Sequence, residues 1–147
     1  MNREILFRGK RVDNDEWIEG YYVKYQPCAS KDEFVIGIVP VCASDLYLTE
    51  VVPSTVGQFT GLTDKNGVKI FEGDILSAHF DEEYPENVTF MEVENNGFAF
   101  TLRQLGSVPR SVDKMVDETD AKWCSDIFEA AGNIYDNPEL MKGEPNV

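Results

Sequence analysis

The sequence contains one histidine, His79, and a cluster of four carboxylates follows it at once. The carboxylates belong to Asp81, Glu82, Glu83 and Glu86. Several carboxylate oxygens are what Ca²⁺ and Mg²⁺ bind, and a histidine beside a carboxylate can act as an acid–base pair. The segment nevertheless lacks the HExxH and EF-hand spacings that make such groups converge. We therefore predict a solvated acidic loop between two strands, with the four carboxylates as candidate contacts for a partner.

A metal-dependent hydrolase is the alternative that the carboxylates leave open. Asp74, Asp81 and Glu83 would have to converge on one cavity to hold a divalent ion. Catalysis by His79 would also need an adjacent nucleophile and an orienting group, and the neighbouring sequence supplies neither. We therefore assign no catalytic residue, no metal ligand and no cofactor, and a non-enzymatic protein is favoured over an enzyme.

The segment TGLTDKNGVKIFEGDIL, residues 60–76, combines glycines and carboxylates in a way that invites comparison with phosphate-binding loops. Its glycine spacing matches neither a P-loop nor a dinucleotide fingerprint, and carboxylates repel phosphate. The tetrapeptide DKNG instead fits a tight turn that ends in a glycine with positive φ, EGD fits a bulge, and NNG further along fits a second hairpin turn. The residues for which we predict such structural turn or bulge roles are Asp64, Asn66, Gly67, Gly73 and Gly97.

Near the end of the sequence, GNIYDNPEL contains Asn133 and Tyr135. Exposed tyrosine and asparagine are frequent in recognition surfaces, so both residues are candidate contacts for a partner. The same residue types are common where a strand leads into a capped helix, and Pro138 suits the first turn of such a helix. The sequence favours the strand end that leads into a capped helix, and a binding role for Asn133 and Tyr135 is the alternative.

Short apolar runs separated by polar turns fill most of the chain. ILFRGKRV and WIEGYYVKY read as a β-hairpin, EFVIGIVP as a buried strand, and VTFMEVE with FAFTLRQL as a hairpin around NNG. The pattern predicts a mainly β fold of antiparallel sheets with a small SH3-like or related barrel and one or two short helices.

The C-terminal third is less regular. Val108, Val112, Met115 and Val116 recur at helical spacing and predict a short amphipathic helix. SDIFEAAGNIY is then predicted to be extended, and DNPELM to form a short capped helix. With 147 residues and no linker, the chain is expected to be a single domain with a hairpin region at 1–56, a barrel-like region at 57–141 and a frayed tail at 142–147.

The chain is strongly acidic, with 13 Lys and Arg against 27 Asp and Glu, a net charge of −14. Residues 1–60 hold 6 basic and 9 acidic side chains, net −3, whereas residues 61–147 hold 7 and 18, net −11. This balance argues against direct binding to nucleic acid or to anionic membranes, because both carry phosphates. We expect a basic protein as the partner, and the sequence leaves homo-oligomer formation open.

Three cysteines, Cys28, Cys42 and Cys124, are widely spaced and form no CxxC pair. An odd number of dispersed cysteines predicts reduced thiols without an intramolecular disulfide. The first residues turn charged after three apolar positions, which is too short for a signal-peptide core, and no run reaches the ~20 apolar residues of a membrane helix. We therefore expect a cytoplasmic protein.

Three segments carry a family resemblance: REILFRG at 3–9, GQFTGLTDKNGVKIFEGDIL at 57–76 and GNIYDNPEL at 132–140. In this order they resemble the YopX family of small proteins encoded by bacteriophages and prophages. The resemblance implies a mainly β fold with a small barrel-like sheet over residues 1–147, and a setting in the bacterial cytoplasm. It implies no catalytic motif and no established activity. The expected function is that of a phage accessory protein that acts as an interaction module with an acidic surface.

Overall fold

The computed structural model describes residues 4–29, 31–42, 47–80, 82–84, 86–106, 114–115, 122 and 124–142. Strands account for 47% and helices for 10% of the chain, in two antiparallel sheets, which confirms the predicted mainly β class. No closed barrel is detected among the described strands. The chain divides into two compact units, residues 1–59 and 60–147, so the division lies three residues after the predicted boundary at 56.

The first unit is built on antiparallel strands in the order β4-β3-β2-β1. Their bounds are Phe7–Lys10 for β1, Trp17–Tyr25 for β2, Val35–Pro40 for β3 and Thr49–Glu50 for β4. The first residues of β5 (Gly57–Thr63) pair with the free side of β1. A single 3₁₀ turn at Pro53–Thr55 precedes β5, with the proline in the first turn where its missing N–H costs no hydrogen bond.

The core of the first unit is small and apolar, and its fully buried side chains include Leu6, Ile38 and Val51. Basic residues of β1 cover an aromatic ring instead of entering this core. The Arg8 guanidinium lies 4.7 Å, and the Lys10 ammonium 5.4 Å, from the centre of the Trp17 ring. Because Lys10 is directly opposite Trp17 in the β1–β2 pairing, hairpin register produces this contact.

The second unit contains the rest of β5 and a sheet in the order β10-β9-β8-β7-β11, all neighbours antiparallel. The strand bounds are Lys69–Phe71 for β6, Asp74–Ala78 for β7, Thr89–Asn95 for β8, Phe100–Gln104 for β9, Lys114–Met115 for β10 and Glu129–Asn133 for β11. A short 3₁₀ helix at Pro138–Lys142 follows β11, where a short helix is predicted.

Neighbouring residues of a strand point to opposite faces of a sheet, and the second sheet has buried apolar side chains on both of its faces. Ile75 and Leu76 illustrate this: Ile75 belongs to a cluster closed by Leu140 of the 3₁₀ helix, and Leu76 to a cluster closed by Phe128. Full burial of each such side chain contributes about 1.5–3 kcal/mol. The segment after β11 is therefore part of the core of this unit.

Two predictions for the C-terminal third differ from the structure where the structure describes it, one at Lys114 and Met115 and the other only at the start of the extended segment. Lys114 and Met115 form β10, paired with Leu102 and Thr101, so the predicted amphipathic helix does not include them. The other helix-pattern residues, Val108, Val112 and Val116, lie outside the described residues. The predicted extended segment, residues 125–135, begins with two helical residues, 125 and 126, and its centre is extended as predicted, in β11 at Glu129–Asn133. In both places a short apolar pattern was outweighed by local hydrogen bonding, with the edge of β9 in the first case and within one helical turn in the second.

All three cysteines are free thiols, with Cys28 and Cys42 exposed and Cys124 buried beside Phe128. Within the described part of the chain, no helix has both the length and the apolar character needed to cross a membrane.

Candidate functional site

The predicted acidic loop connects β7 to β8. Glu82, Glu83 and Glu86 are exposed there, and Asp81 lies outside the described residues. Exposure is what a solvated loop requires. Their contact with a partner stays a prediction.

The carboxylates of the hydrolase alternative lie in different environments. Asp74 is buried, and its Oδ2 accepts the backbone N–H of Phe71 at 2.7 Å, whereas Glu83 is exposed. Asp81 again lies outside the described residues. No group of three or more His, Cys, Asp or Glu side chains that could hold a metal ion occurs within the described ranges. The described geometry therefore gives this alternative no support.

Asp64 is a buried structural residue. Its Oδ1 accepts the backbone N–H groups of Asn66 at 2.8 Å and Val68 at 2.9 Å, and its Oδ2 accepts that of Ala130 on β11 at 2.9 Å. Burial of the carboxylate acts to raise its pKa, but the three N–H donors outweigh burial and the pKa of Asp64 is lowered. Gly67 ends the same turn with φ of 79°, the left-handed conformation that glycine adopts without strain.

Asn133, predicted as a candidate contact, is buried and bonded within its own turn. Its Oδ1 accepts the backbone N–H groups of Tyr135 at 3.0 Å and Asp136 at 2.8 Å, and its Nδ2 donates to the Asp136 carboxylate at 3.1 Å. The backbone N–H of Asn133 in turn donates to Asn137 Oδ1 at 3.2 Å. Asn133 therefore shapes the turn that positions Tyr135, and its side-chain oxygen is occupied by that turn.

Tyr135 lines an open cleft with a cavity volume of about 270 Å³. The walls come from the β6–β7 turn, the end of β8 with the turn after it, and the segment after β11. The described lining residues are Glu72, Gly73, Glu92, Val93, Glu94, Asn95, Asn96, Ile134 and Tyr135. Three of them are glutamates and none is basic. The cleft thus combines an acidic wall with an apolar and aromatic one.

The acidic wall is a consequence of strand alternation. Glu92 and Glu94 lie on one face of β8, and Arg103 of β9 is directly opposite Glu92. Arg103 Nη2 donates to Glu92 Oε2, and Arg103 Nε donates to Glu94 Oε1 at 2.8 Å. One guanidinium therefore bridges two carboxylates, and a third glutamate, Glu72, lines the same cavity.

Glu92 is 6% exposed, which makes its charge costly. Burial raises its pKa, the hydrogen bond from Arg103 opposes this rise, and the neighbouring Glu94 carboxylate adds to it, so the pKa of Glu92 is raised overall. The hydrogen bond to Glu92 also raises the pKa of Arg103, which stays a cation. The guanidinium of Arg103 is therefore shared between the two carboxylates of Glu92 and Glu94.

The aromatic wall is held by backbone contacts at Gly73. The N–H of Gly73 donates to the Val93 carbonyl at 2.8 Å, and its own carbonyl accepts the N–H of Ile134 at 2.9 Å. Gly73 has φ of 90°, and an added Cβ would lie 3.1 Å from Cε2 of Tyr135. The absent side chain is thus what lets the Tyr135 ring approach the turn.

The arrangement is suited to a cation with an apolar stem. Carboxylates can accept hydrogen bonds from an ammonium or a guanidinium, and the Tyr135 ring with Ile134 can contact the methylene groups of the same side chain. Small-molecule pockets usually measure about 300–1,000 Å³. At about 270 Å³ and open to solvent, the cleft fits one side chain of a partner better than a cofactor.

Of the five predicted contact residues that the structure describes, only Tyr135 lines the cleft; Glu72, Glu92, Glu94 and Arg103 carried no predicted binding role. A signal for one pair was present in the sequence. Counting outward from the NNG turn places Glu92 opposite Arg103 in a regular hairpin. A glutamate in an apolar strand opposite an arginine indicates a charged pair at a partly buried position.

The comparisons with known proteins concern family and fold. The YopX protein family matches residues 6–142. No curated protein matches this sequence. The chain is similar in structure to the protein EF1440 from Enterococcus faecalis, with a TM-score of 0.56 and 22% sequence identity, over 95% of this chain and 99% of that chain. At this identity the likeness shows the fold alone. Because the family match covers nearly the whole sequence, as the three resembling segments predict, this chain belongs to the YopX family.

Proposed function

We propose that this protein is a phage- or prophage-encoded accessory factor of the bacterial cytoplasm. In this proposal it is a non-enzymatic interaction module, and acidic side chains of its second unit bind a basic host or phage protein. The observation that carries the proposal is the cleft, in which three glutamates line one cavity beside a tyrosine. Direct binding to nucleic acid or membranes is not part of the proposed function.

The distribution of charge supports this choice of partner. Residues 61–147 carry 7 basic and 18 acidic side chains, net −11, against net −3 for residues 1–60. Complementary charge steers a basic partner toward the acidic unit and disfavours acidic competitors. The glutamates of the cleft would then supply the directed hydrogen bonds that a diffuse negative surface lacks.

The test is capture of bacterial proteins on the immobilised chain at two ionic strengths. Charge attraction is screened over ~10 Å at about 0.1 M and over ~3 Å at about 1 M, so the predicted complexes should weaken steeply between them. Two amide sets separate the acidic surfaces: E72Q with E94Q in the cleft, and E82Q with E83Q and E86Q in the loop. We expect basic proteins whose capture falls about tenfold for at least one set.

The matched control replaces two exposed carboxylates of the first unit, D32N with E33Q. It removes the same charge as the cleft set and should leave capture unchanged. Salt-insensitive capture that all acidic variants retain would overturn the proposal. Tight binding of the purified protein to duplex or single-stranded DNA, measured in parallel, would contradict the charge argument directly.

A further inference from the structure

Two asparagine–glycine pairs lie in turns of the second unit, Asn66-Gly67 between β5 and β6 and Asn96-Gly97 between β8 and β9. Asparagine is a chemically labile residue, and it reacts most readily before glycine, because no side chain then shields the following backbone nitrogen. Both asparagines are exposed, so water reaches both. A difference in their reactivity must therefore come from their hydrogen bonds.

The reaction in question is deamidation, an intramolecular displacement at the asparagine side chain. The glycine nitrogen loses its proton to water or hydroxide and attacks Cγ, the new N–C bond closes a succinimide ring, and Nδ2 takes up a proton and leaves as ammonia. Water then opens the ring at either carbonyl, which gives aspartate or isoaspartate. The net change is uptake of one water and release of one ammonia, so the reaction requires no oxidant and no cofactor.

The attacking nitrogen is held in a similar way in both turns. The N–H of Gly67 donates to the Asp64 carbonyl at 3.0 Å, and the N–H of Gly97 donates to Asn95 Oδ1 at 2.9 Å. Each of these bonds has to open before its nitrogen can attack. Neither turn therefore has an advantage at this step.

The side chain under attack is held firmly in only one of the two turns. Asn96 Oδ1 accepts the backbone N–H groups of Phe98 at 3.0 Å and Ala99 at 2.9 Å. Ring closure draws Cγ onto the following nitrogen and carries Oδ1 with it, so both N–H groups lose their acceptor. Among the described residues, the side chain of Asn66 has only a bond from Nδ2 to Glu129 Oε1 at 3.5 Å, a length at which a hydrogen bond is weak.

We propose that Asn66 is a deamidation site of the folded protein and that Asn96 is protected by its own turn. This site is independent of the proposed binding function. Conversion to isoaspartate adds one methylene to the backbone between residues 66 and 67. Because Asp64 Oδ1 accepts the N–H groups of Asn66 and Val68, one on each side of this link, the longer backbone weakens the turn that binds β11 through Asp64.

The test is peptide mapping by mass spectrometry after incubation of the intact protein at neutral pH and physiological temperature. We expect the acid product to form about tenfold or more faster at Asn66 than at Asn96, the factor that follows when two ordinary hydrogen bonds have to break first. In urea the two rates should come together, because both turns are lost. The N66Q variant should lack the early product, since glutamine has to close a larger ring.

Enzymatic methylation that is specific for isoaspartate distinguishes this product from aspartate. The purified isoaspartate form should unfold at a lower urea concentration than N66D, which carries the same added charge on an ordinary backbone. Equal or faster reaction at Asn96 in the folded protein, or a rate ratio that persists in urea, would overturn the proposed selectivity. No product at Asn66 while the unfolded chain reacts would overturn the site itself, and an isoaspartate form as stable as N66D would overturn its effect on the turn.

Discussion

Two buried carboxylates of the second unit, Asp64 and Glu92, differ in what surrounds them. Asp64 is 3% exposed and accepts three backbone N–H groups, so its pKa is lowered. Glu92 is 6% exposed, has a raised pKa, and shares one arginine with Glu94 beside an open cavity. Two carboxylates with similar burial thus have pKa values that are shifted in opposite directions.

The difference teaches how to separate a carboxylate that serves the fold from one that can serve a partner. Hydrogen bonds from fixed backbone groups stabilise the charge of Asp64 and leave it little capacity for a ligand. The charge of Glu92 depends on a single side chain that also serves a second carboxylate. Charge in the second region is incompletely compensated, which suits binding of a cation.

The comparison predicts the largest loss of stability at Asp64. The D64A substitution leaves three backbone N–H groups without their acceptor and should lower the free energy of unfolding by about 3 kcal/mol, at about 1–3 kcal/mol for each buried group left unsatisfied. Urea denaturation at neutral pH measures this. N66A in the same turn is the control and should change stability by less than about 0.5 kcal/mol, since Asn66 is exposed. Equal effects of the two variants would contradict the structural role of Asp64.

A smaller loss is expected at the cleft for R103A. Removing one partner of a fully buried pair costs about 3–5 kcal/mol, but the Arg103 side chain is 37% exposed and solvent screening reduces the expected cost to about 2 kcal/mol at pH 7. R103K is the control: it keeps the charge and should lose less, because an ammonium cannot reproduce both guanidinium contacts.

The cost of R103A should depend on pH with a definite sign. Arg103 opposes the rise in the pKa of Glu92, so its removal lets this pKa rise further above the ordinary 4.5. An acid with a raised folded pKa favours the fold below its unfolded pKa, and this contribution is lost as pH rises through the folded pKa. The deficit of R103A should therefore be small near pH 4 and grow toward pH 7. A deficit that grows toward acid would contradict the assignment.

The Gly67 position tests whether the β5–β6 turn depends on backbone conformation as well as on Asp64. Its φ is 79°, and no heavy atom of the described residues beyond Gly67 and its two chain neighbours lies within 4 Å of the place a Cβ would occupy. G67A should therefore cost only the strain of the left-handed backbone, about 1 kcal/mol. Thermal unfolding would measure this cost. G67N is the matched variant and should lose less, since asparagine tolerates this conformation better; a larger loss for G67N would argue against backbone strain as the cause.

The smallest expected effect is the acid response of Asp64. A carboxylate with a lowered folded pKa stabilises the fold above its unfolded pKa, and this contribution is lost as pH falls through the folded value. The stability difference between wild type and D64A should thus be constant near neutrality and narrow below the ordinary pKa of 3.8. Denaturant unfolding of both proteins across this range would show the narrowing, and a constant difference into strong acid would contradict it.

The sequence predicts local features well because a few adjacent residues determine them. The DKNG and NNG turns are encoded by asparagine, aspartate and glycine at fixed offsets, and each hairpin turn sets the register of its strands. Short strands likewise follow from alternating apolar residues. The helix predicted around Met115 shows the limit of such patterns. Three valines and one methionine at helical spacing predicted a helix, but Met115 pairs with the edge of β9 as a strand residue.

The cleft was largely beyond prediction because three separated segments build it. Glu72, Glu94 and Tyr135 are brought together by the Gly73 contacts to Val93 and Ile134, and no local pattern encodes those bonds. At Asn133 the sequence suggested a contact residue where the structure has a buried turn residue. Its residue type suits a recognition surface as well as a turn, and only its burial and its bonds to the following backbone separate the two.

The bond from Ala130 to Asp64 joins residues 66 positions apart. During synthesis, Asp64 is therefore made 66 residues before Ala130, the third donor to its carboxylate. Until Ala130 is in place, Asp64 Oδ2 lacks the hydrogen bond that it accepts in the folded protein. Contacts of such large sequence separation form late, because the entropy of closing the chain must be overcome first. The β5–β6 turn therefore reaches its full set of hydrogen bonds only after β11 has been made, and any nascent chain that ends before β11 lacks the third donor to Asp64.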